Sequence, residues 1–135
     1  METVAVRLLP GDDLKLSLIK LVQEHSIEAG CILSGVGSLT QYSLRFANQP
    51  NATINKTSTF EIVSLTGTLS PDGVHIHMSV SDEEGKTTGG HLMDGNLVYT
   101  TAELVIAKLH GYRFSREIDS QTGFLELVID KVNLN

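Results

Sequence analysis

Cysteine is almost missing from this chain of 135 residues: Cys31 stands alone. No disulfide can close within it, which fits a reducing compartment. Cys31 itself, in Ala29-Gly30-Cys31-Ile32-Leu33, reads as a small buried hydrophobe. Basic residues are also scarce, ten Lys and Arg against sixteen Asp and Glu, for a net charge of −6 and a pI near 5.2. No basic run occurs, which counts against gripping nucleic acid by phosphate neutralisation and against docking on anionic membranes. Long apolar runs are absent as well. Nothing approaches the ~20 residues of a membrane span, and the early Arg7, Pro10, Asp12 and Asp13 do not suit a signal peptide. A cytoplasmic protein with no membrane partner is expected. No repeat, linker or low-complexity segment divides the chain, so residues 1–135 are expected to form a single domain, large enough to bury about two-thirds of its unfolded surface.

What the chain does have is histidine in a telling place. Three of its five histidines fall in Val74-His75-Ile76-His77-Met78 and Gly89-Gly90-His91. The first segment has strand character. Side chains at i and i+2 share a face of a strand, so His75 and His77 project side by side, about 6.5–7 Å apart at the backbone. Ser81-Asp82-Glu83-Glu84-Gly85-Lys86 has turn composition. A hairpin centred on Glu84 pairs His77 with His91, with Cβ atoms about 4.5–5.5 Å apart. A slip of one residue would turn His91 to the other face. Three neutral imidazoles leave a tetrahedral ion one open position, the arrangement of catalytic rather than structural zinc. His75, His77 and His91 are therefore the expected metal ligands, with zinc as the expected ion. Free imidazole titrates near 6.5, so occupancy is expected to fall as the pH drops through roughly 6.

The rest of the chain supplies a scaffold rich in strands. Thr3 to Leu9 is a first strand, stopped by Pro10-Gly11. Asp12 or Asp13 caps a helix of about three turns whose Leu14, Leu18, Leu21 and Val22 share one face. His25 at its end and His110 in a later loop read as solvated. Ala29–Leu33 and Leu39–Ala47 read as strand, with Ser34-Gly35-Val36-Gly37-Ser38 between them as a bulge or close backbone approach. Residues 48–56 read as a polar loop, 58–69 as one or two strands, and Ser70-Pro71-Asp72-Gly73 as a turn. Leu97–Ala107 is a long central strand, Arg113–Ile118 a short polar stretch, and Phe124–Val132 the last strand. One principal helix packed on a mainly antiparallel sheet is expected, since crossover helices are missing: the α+β class.

Several of these segments occur in order in a known family. Ala29 to Ser38 with Leu44-Arg45, then Phe60 to Gly67, Gly89-Gly90-His91-Leu92 and Thr101 to Ile106 resemble the plants-and-prokaryotes-conserved (PPC) domain over nearly the whole chain. The resemblance is to the stand-alone prokaryotic type. It implies a strongly curved sheet, a homotrimer, and distant kinship with acetolactate decarboxylase, which also holds zinc with a His-x-His pair and a later histidine. Plant members carry the domain behind AT-hooks that bind DNA, while the domain itself mediates self-association and contacts with protein partners. By family, a DNA-associated regulatory role is implied. Arg-Gly-Arg-Pro, the core of the hook, is absent here, and with the acidic charge this counts against direct nucleic-acid binding. The competing reading is a small metal-dependent enzyme, decarboxylase- or lyase-like, acting on a carbonyl-containing molecule. Glu103, Arg45 and Glu61 are its candidate catalytic residues, because proton transfer needs an acid or base near the metal. Each also has a structural reading. A carboxylate within the apolar strand around Glu103 calls for a salt bridge, within the chain or across a subunit interface, and a charge at Arg45 needs a partner or an exit to solvent.

Overall fold

Asp13 opens the helix and ties it to the sheet with the same carboxylate. In the computed structural model, which describes residues 1–134, one oxygen of Asp13 accepts the amide of Leu16 at 3.1 Å as an N-cap. The other accepts the amide of Gly95 at 2.7 Å. The helix α1 runs Leu14–Glu24 and buries Leu14, Leu18, Leu21 and Val22, the expected stripe. Each such burial stabilises by about 1.5–3 kcal/mol relative to exposure. Ser26 then takes a left-handed φ of 50°. Its amide bonds to Gln23 O and that of Ile27 to Val22 O, which closes the helix in a Schellman turn and drives Ile27 into the core.

The strands are β1 (Glu2–Leu8), β2 (Gly30–Arg45), β3 (Thr53–Asn55), β4 (Phe60–Ser70), β5 (Gly73–Ser81), β6 (Thr87–Leu92), β7 (Leu97–Lys108), β8 (Tyr112–Ile118) and β9 (Leu125–Lys131). Seven form one antiparallel sheet ordered β1-β7-β2-β4-β5-β6, with β3 on the flank of β2. The sixteen residues of β2 are one strand. The bulge or close approach expected at Ser34–Ser38 is present as register shifts against β7, between Ile32 and Ser34, Gly37 and Leu39, and Leu39 and Gln41, and the strand continues through it. These shifts bend the strand. Its far end, Leu44 and Arg45, pairs with Leu92 and His91 of β6. The path β2-β4-β5-β6 thereby returns to β2, and the sheet curls around Leu39, Leu44, Leu69, Ile76, Met78, Val80 and Leu92.

Three local expectations change. The polar loop at 48–56 contains β3. The stretch after Tyr112 is a strand, and it pairs with β9 as a separate hairpin. Cys31 is partly rather than fully buried. The hairpin is anchored where Phe114 is buried and its amide donates to Glu28 O at 2.9 Å.

Asn96, between β6 and β7, is fully buried. Its Oδ1 accepts the Ser43 amide at 2.8 Å, and its Nδ2 donates to Ser43 O at 2.8 Å and Met93 O at 2.7 Å. Ser43, whose amide and carbonyl it serves, is itself buried. Asn96→Ala is expected to destabilise the fold by roughly 2–4 kcal/mol in urea unfolding. A loss below about 1 kcal/mol would mean that the three hydrogen bonds are dispensable.

Candidate metal centre

His75 and His77 lie on β5, whose buried residues Ile76, Met78 and Val80 face the core. Alternation therefore sends both histidines to the opposite face. Strand β6 brings the third. Asp82 Oδ1 accepts the amides of Glu84 and Lys86 at 2.9 Å each, and Gly85 takes a φ of 78°. That turn sets the register in which His77 pairs with His91, as the symmetric hairpin requires. Gly90 lets β6 approach β2: a Cβ there would stand 2.8 Å from the carbonyl oxygen of Arg45. Gly67 does the same beneath His75, whose carbonyl oxygen would lie 2.6 Å from an added Cβ.

One ring nitrogen from each histidine lies within 4.8 Å of the others. The Nε2 atoms of His75 and His77 are 3.2 Å apart. Two imidazoles on one tetrahedral zinc have nitrogens about 3.3 Å apart, given bonds of about 2.0–2.1 Å. That pair already matches, and the third ring needs a side-chain movement of about 1.5 Å to join it. Ring centroids at 5.0, 5.1 and 5.7 Å complete the triangle. Three neutral nitrogen donors in a partly open setting suit zinc, so the residues present fit the group.

Burial and electrostatics favour neutral rings at His75 and His91. Burial, then the charge of His77 and of Arg116, lowers the pKa of His75 from its ordinary 6.5, with Arg45 adding to this and Glu126 opposing it. Burial, then the charges of His75 and Arg45, lowers that of His91 to about 4. A ring kept neutral can ligate without first shedding a proton.

The histidines open into a groove of about 1460 Å³ between the curled sheet and the β8–β9 hairpin. Arg45 lines it, placed by its pairing with His91. Glu61 and Glu103 are not among its lining residues. Both are exposed, and Glu103 is paired with Arg7 of β1 on one side and Val36 of β2 on the other. Its nearest acid-base partners are thus not the histidines, and no ion pair forms at Glu103 among the described residues. Arg116, Glu126 and Asp72 do line the groove and were missed in the sequence. Arg116 lies in a stretch whose strand character is weak, and nothing local says that its hairpin folds back over the histidines.

A curled antiparallel sheet, one packed helix and an all-histidine cluster in an open groove define an α+β domain with a group of side chains that could hold a metal ion. Residues 1–110 match the family model described as the Plants and Prokaryotes Conserved (PCC) domain, and the chain belongs to that family. The bifunctional protein GlmU of Synechococcus sp. (strain JA-3-3Ab) is 50% identical over 127 residues, which are 94% of this chain and 20% of that protein. The chain thus spans about a fifth of the length of that curated relative. A hypothetical protein from Salmonella enterica has a TM-score of 0.93 at 42% identity, covering 96% of this chain and 94% of the other. A metal-containing protein from Archaeoglobus fulgidus has a TM-score of 0.80 at 26% identity, covering 95% and 94%.

The lowered pKa values have a pH consequence. Below 6.5, and for His91 down to about 4, the unfolded chain takes up protons at His75 and His91 that the fold refuses. Metal-free protein should therefore lose stability as the pH falls through that window and regain none on further acidification from these groups. Metal should also be held to lower pH than free imidazole chemistry suggests, with a release midpoint below 6.5 in an acid titration followed by metal analysis. A midpoint at or above 6.5 would contradict the electrostatic account.

Proposed function

We propose that His75, His77 and His91 hold a zinc ion that serves a small-molecule pocket. The observation that carries this reading is the convergence of three imidazole nitrogens within 4.8 Å at the wall of an open groove. Zinc held by three imidazoles keeps a position for a ligand, and there it polarises a carbonyl oxygen or acidifies a water. The chain's own residues bind and orient. Arg45 places positive charge beside His91, and Glu126, a groove carboxylate near His75, is better situated than Glu103 or Glu61 to hold or move a proton. This is the metal-dependent enzyme reading, with a carbonyl-containing small molecule as the class of ligand. The metal-containing relative from Archaeoglobus fulgidus supports the metal part of it.

A regulatory role in association with DNA is the second reading, supported by family membership. The net charge of −6 favours reaching DNA through protein partners rather than by direct contact. No helix among the described residues is long and apolar enough to cross a membrane, and the lone Cys31 suits the cytoplasm.

Self-association belongs to either reading. Leu33, Val36, Val63 and Tyr99, on β2, β4 and β7, are each about half exposed or more. Apolar side chains exposed on one sheet suit burial against further copies of this chain, and the family resemblance supports a homotrimer as that assembly.

Two measurements test these points. Purified wild-type protein should carry about one zinc per chain by elemental analysis, and His77→Ala should lose most of it. Equal zinc in both would remove the site. Light scattering after size exclusion should give the mass of three chains, and Val36→Asp, which sets a second carboxylate opposite Glu103, should shift it to one. A single-chain mass for wild type would end the trimer proposal.

A further inference from the structure

We propose that the groove binds a small organic anion, its oxyanion end held by the guanidinium groups of Arg45 and Arg116. The ligand's other end faces the histidines, so the inference builds on the small-molecule reading above. The two arginines come from different elements. Arg45 ends β2 beside His91, and Arg116 belongs to β8 of the separate hairpin. They are two of the four arginines in an acidic chain, yet both line this groove.

Neither guanidinium is neutralised. The ion pairs among the described residues all lie elsewhere. Arg45 Nη1 donates one long bond, 3.4 Å, to Gln49 O. Arg116 Nη2 donates to Thr68 Oγ1 at 3.1 Å. Each guanidinium carries five N–H donors, so most of them remain available. The groove's carboxylates have other partners: Asp72 Oδ2 accepts the main-chain amide of Arg116 at 3.0 Å, and Glu126 Oε1 accepts the Thr122 hydroxyl at 3.1 Å.

Two charged forks without a carboxylate partner suit a carboxylate or phosphate group, which guanidinium binds through paired, charge-assisted hydrogen bonds. The remaining wall points to an organic ligand rather than a bare ion. Phe46, Ile118, Phe124 and Leu125 line the same groove, and the last three are well exposed. They offer apolar surface for a carbon skeleton.

The test uses the full chain with measured zinc content and three probes that share one ring: phenylacetate, phenyl phosphate and the neutral phenylacetamide. Binding is followed by calorimetry or by NMR shift titration at fixed ionic strength. At least one acid should bind, and the amide should bind about tenfold more weakly or not at all. Arg45→Gln and Arg116→Gln should each weaken the acid about tenfold or more, with zinc content unchanged and both variants folded by circular dichroism. Which acid binds tighter tells carboxylate from phosphate. Arg116→Lys, which keeps the charge but loses the fork, should recover only part of the affinity. The proposal is overturned if neither acid binds at millimolar concentration, if the amide binds as well as the acids, or if folded Arg→Gln variants bind as wild type does. If wild type holds no zinc yet binds an acid through these arginines, the metal reading fails and the anion site stands.

Discussion

The closure of β2 onto β6 is the constraint on which the rest depends. Leu44 and Arg45 pair with Leu92 and His91, and that short ladder turns an open sheet into one curled upon itself. Without it, β6 would be a free edge and His91 would be held only by its hairpin. The closure demands a long strand that bends, and the register shifts along β2 supply the bend. It also demands close approach of two backbones, which Gly90 permits. The buried amide of Asn96 bonds the same part of β2, at Ser43, to the turn that follows β6. Core packing, strand closure and placement of the third histidine are thus one event.

Curling the sheet gives it two unlike surfaces. The inner one is filled by leucine, isoleucine, valine and methionine side chains and closed by α1. The outer one carries the histidines at one end and exposed Leu33, Val36, Val63 and Tyr99 on other strands. The β8–β9 hairpin covers the histidine end and makes a groove of it. Arg116 fastens that cover twice, through its amide to Asp72 and its guanidinium to Thr68. One residue therefore helps to hold the lid of the groove and sets the charge inside it.

Charge in the groove runs against the charge of the chain. An acidic protein places Arg45 and Arg116 around three imidazoles. Burial, and then the local field, disfavours protonation of His75 and His91, which leaves their nitrogen lone pairs available for coordination. A cationic metal must be bound strongly by its ligands to overcome the same field, and an anionic molecule in the groove would relieve it. Metal and anion would then support one another's binding, as linkage between neighbouring opposite charges requires.

Much of the site was legible in the residues themselves. The spacing of His75 and His77 put them on one face because a strand repeats every two residues. The symmetric turn around Glu84 paired His77 with His91, and the Asp12-Asp13 pair with Leu14, Leu18, Leu21 and Val22 outlined the helix. Those are local patterns, set by periodicity and turn chemistry. The continuity of β2 through its glycines, the burial of Asn96, the position of Glu103 away from the histidines and the arrival of Arg116 above them were decided by tertiary structure. Each depends on which distant segment lies alongside, and that is settled by packing and closure over dozens of residues, which no local pattern encodes.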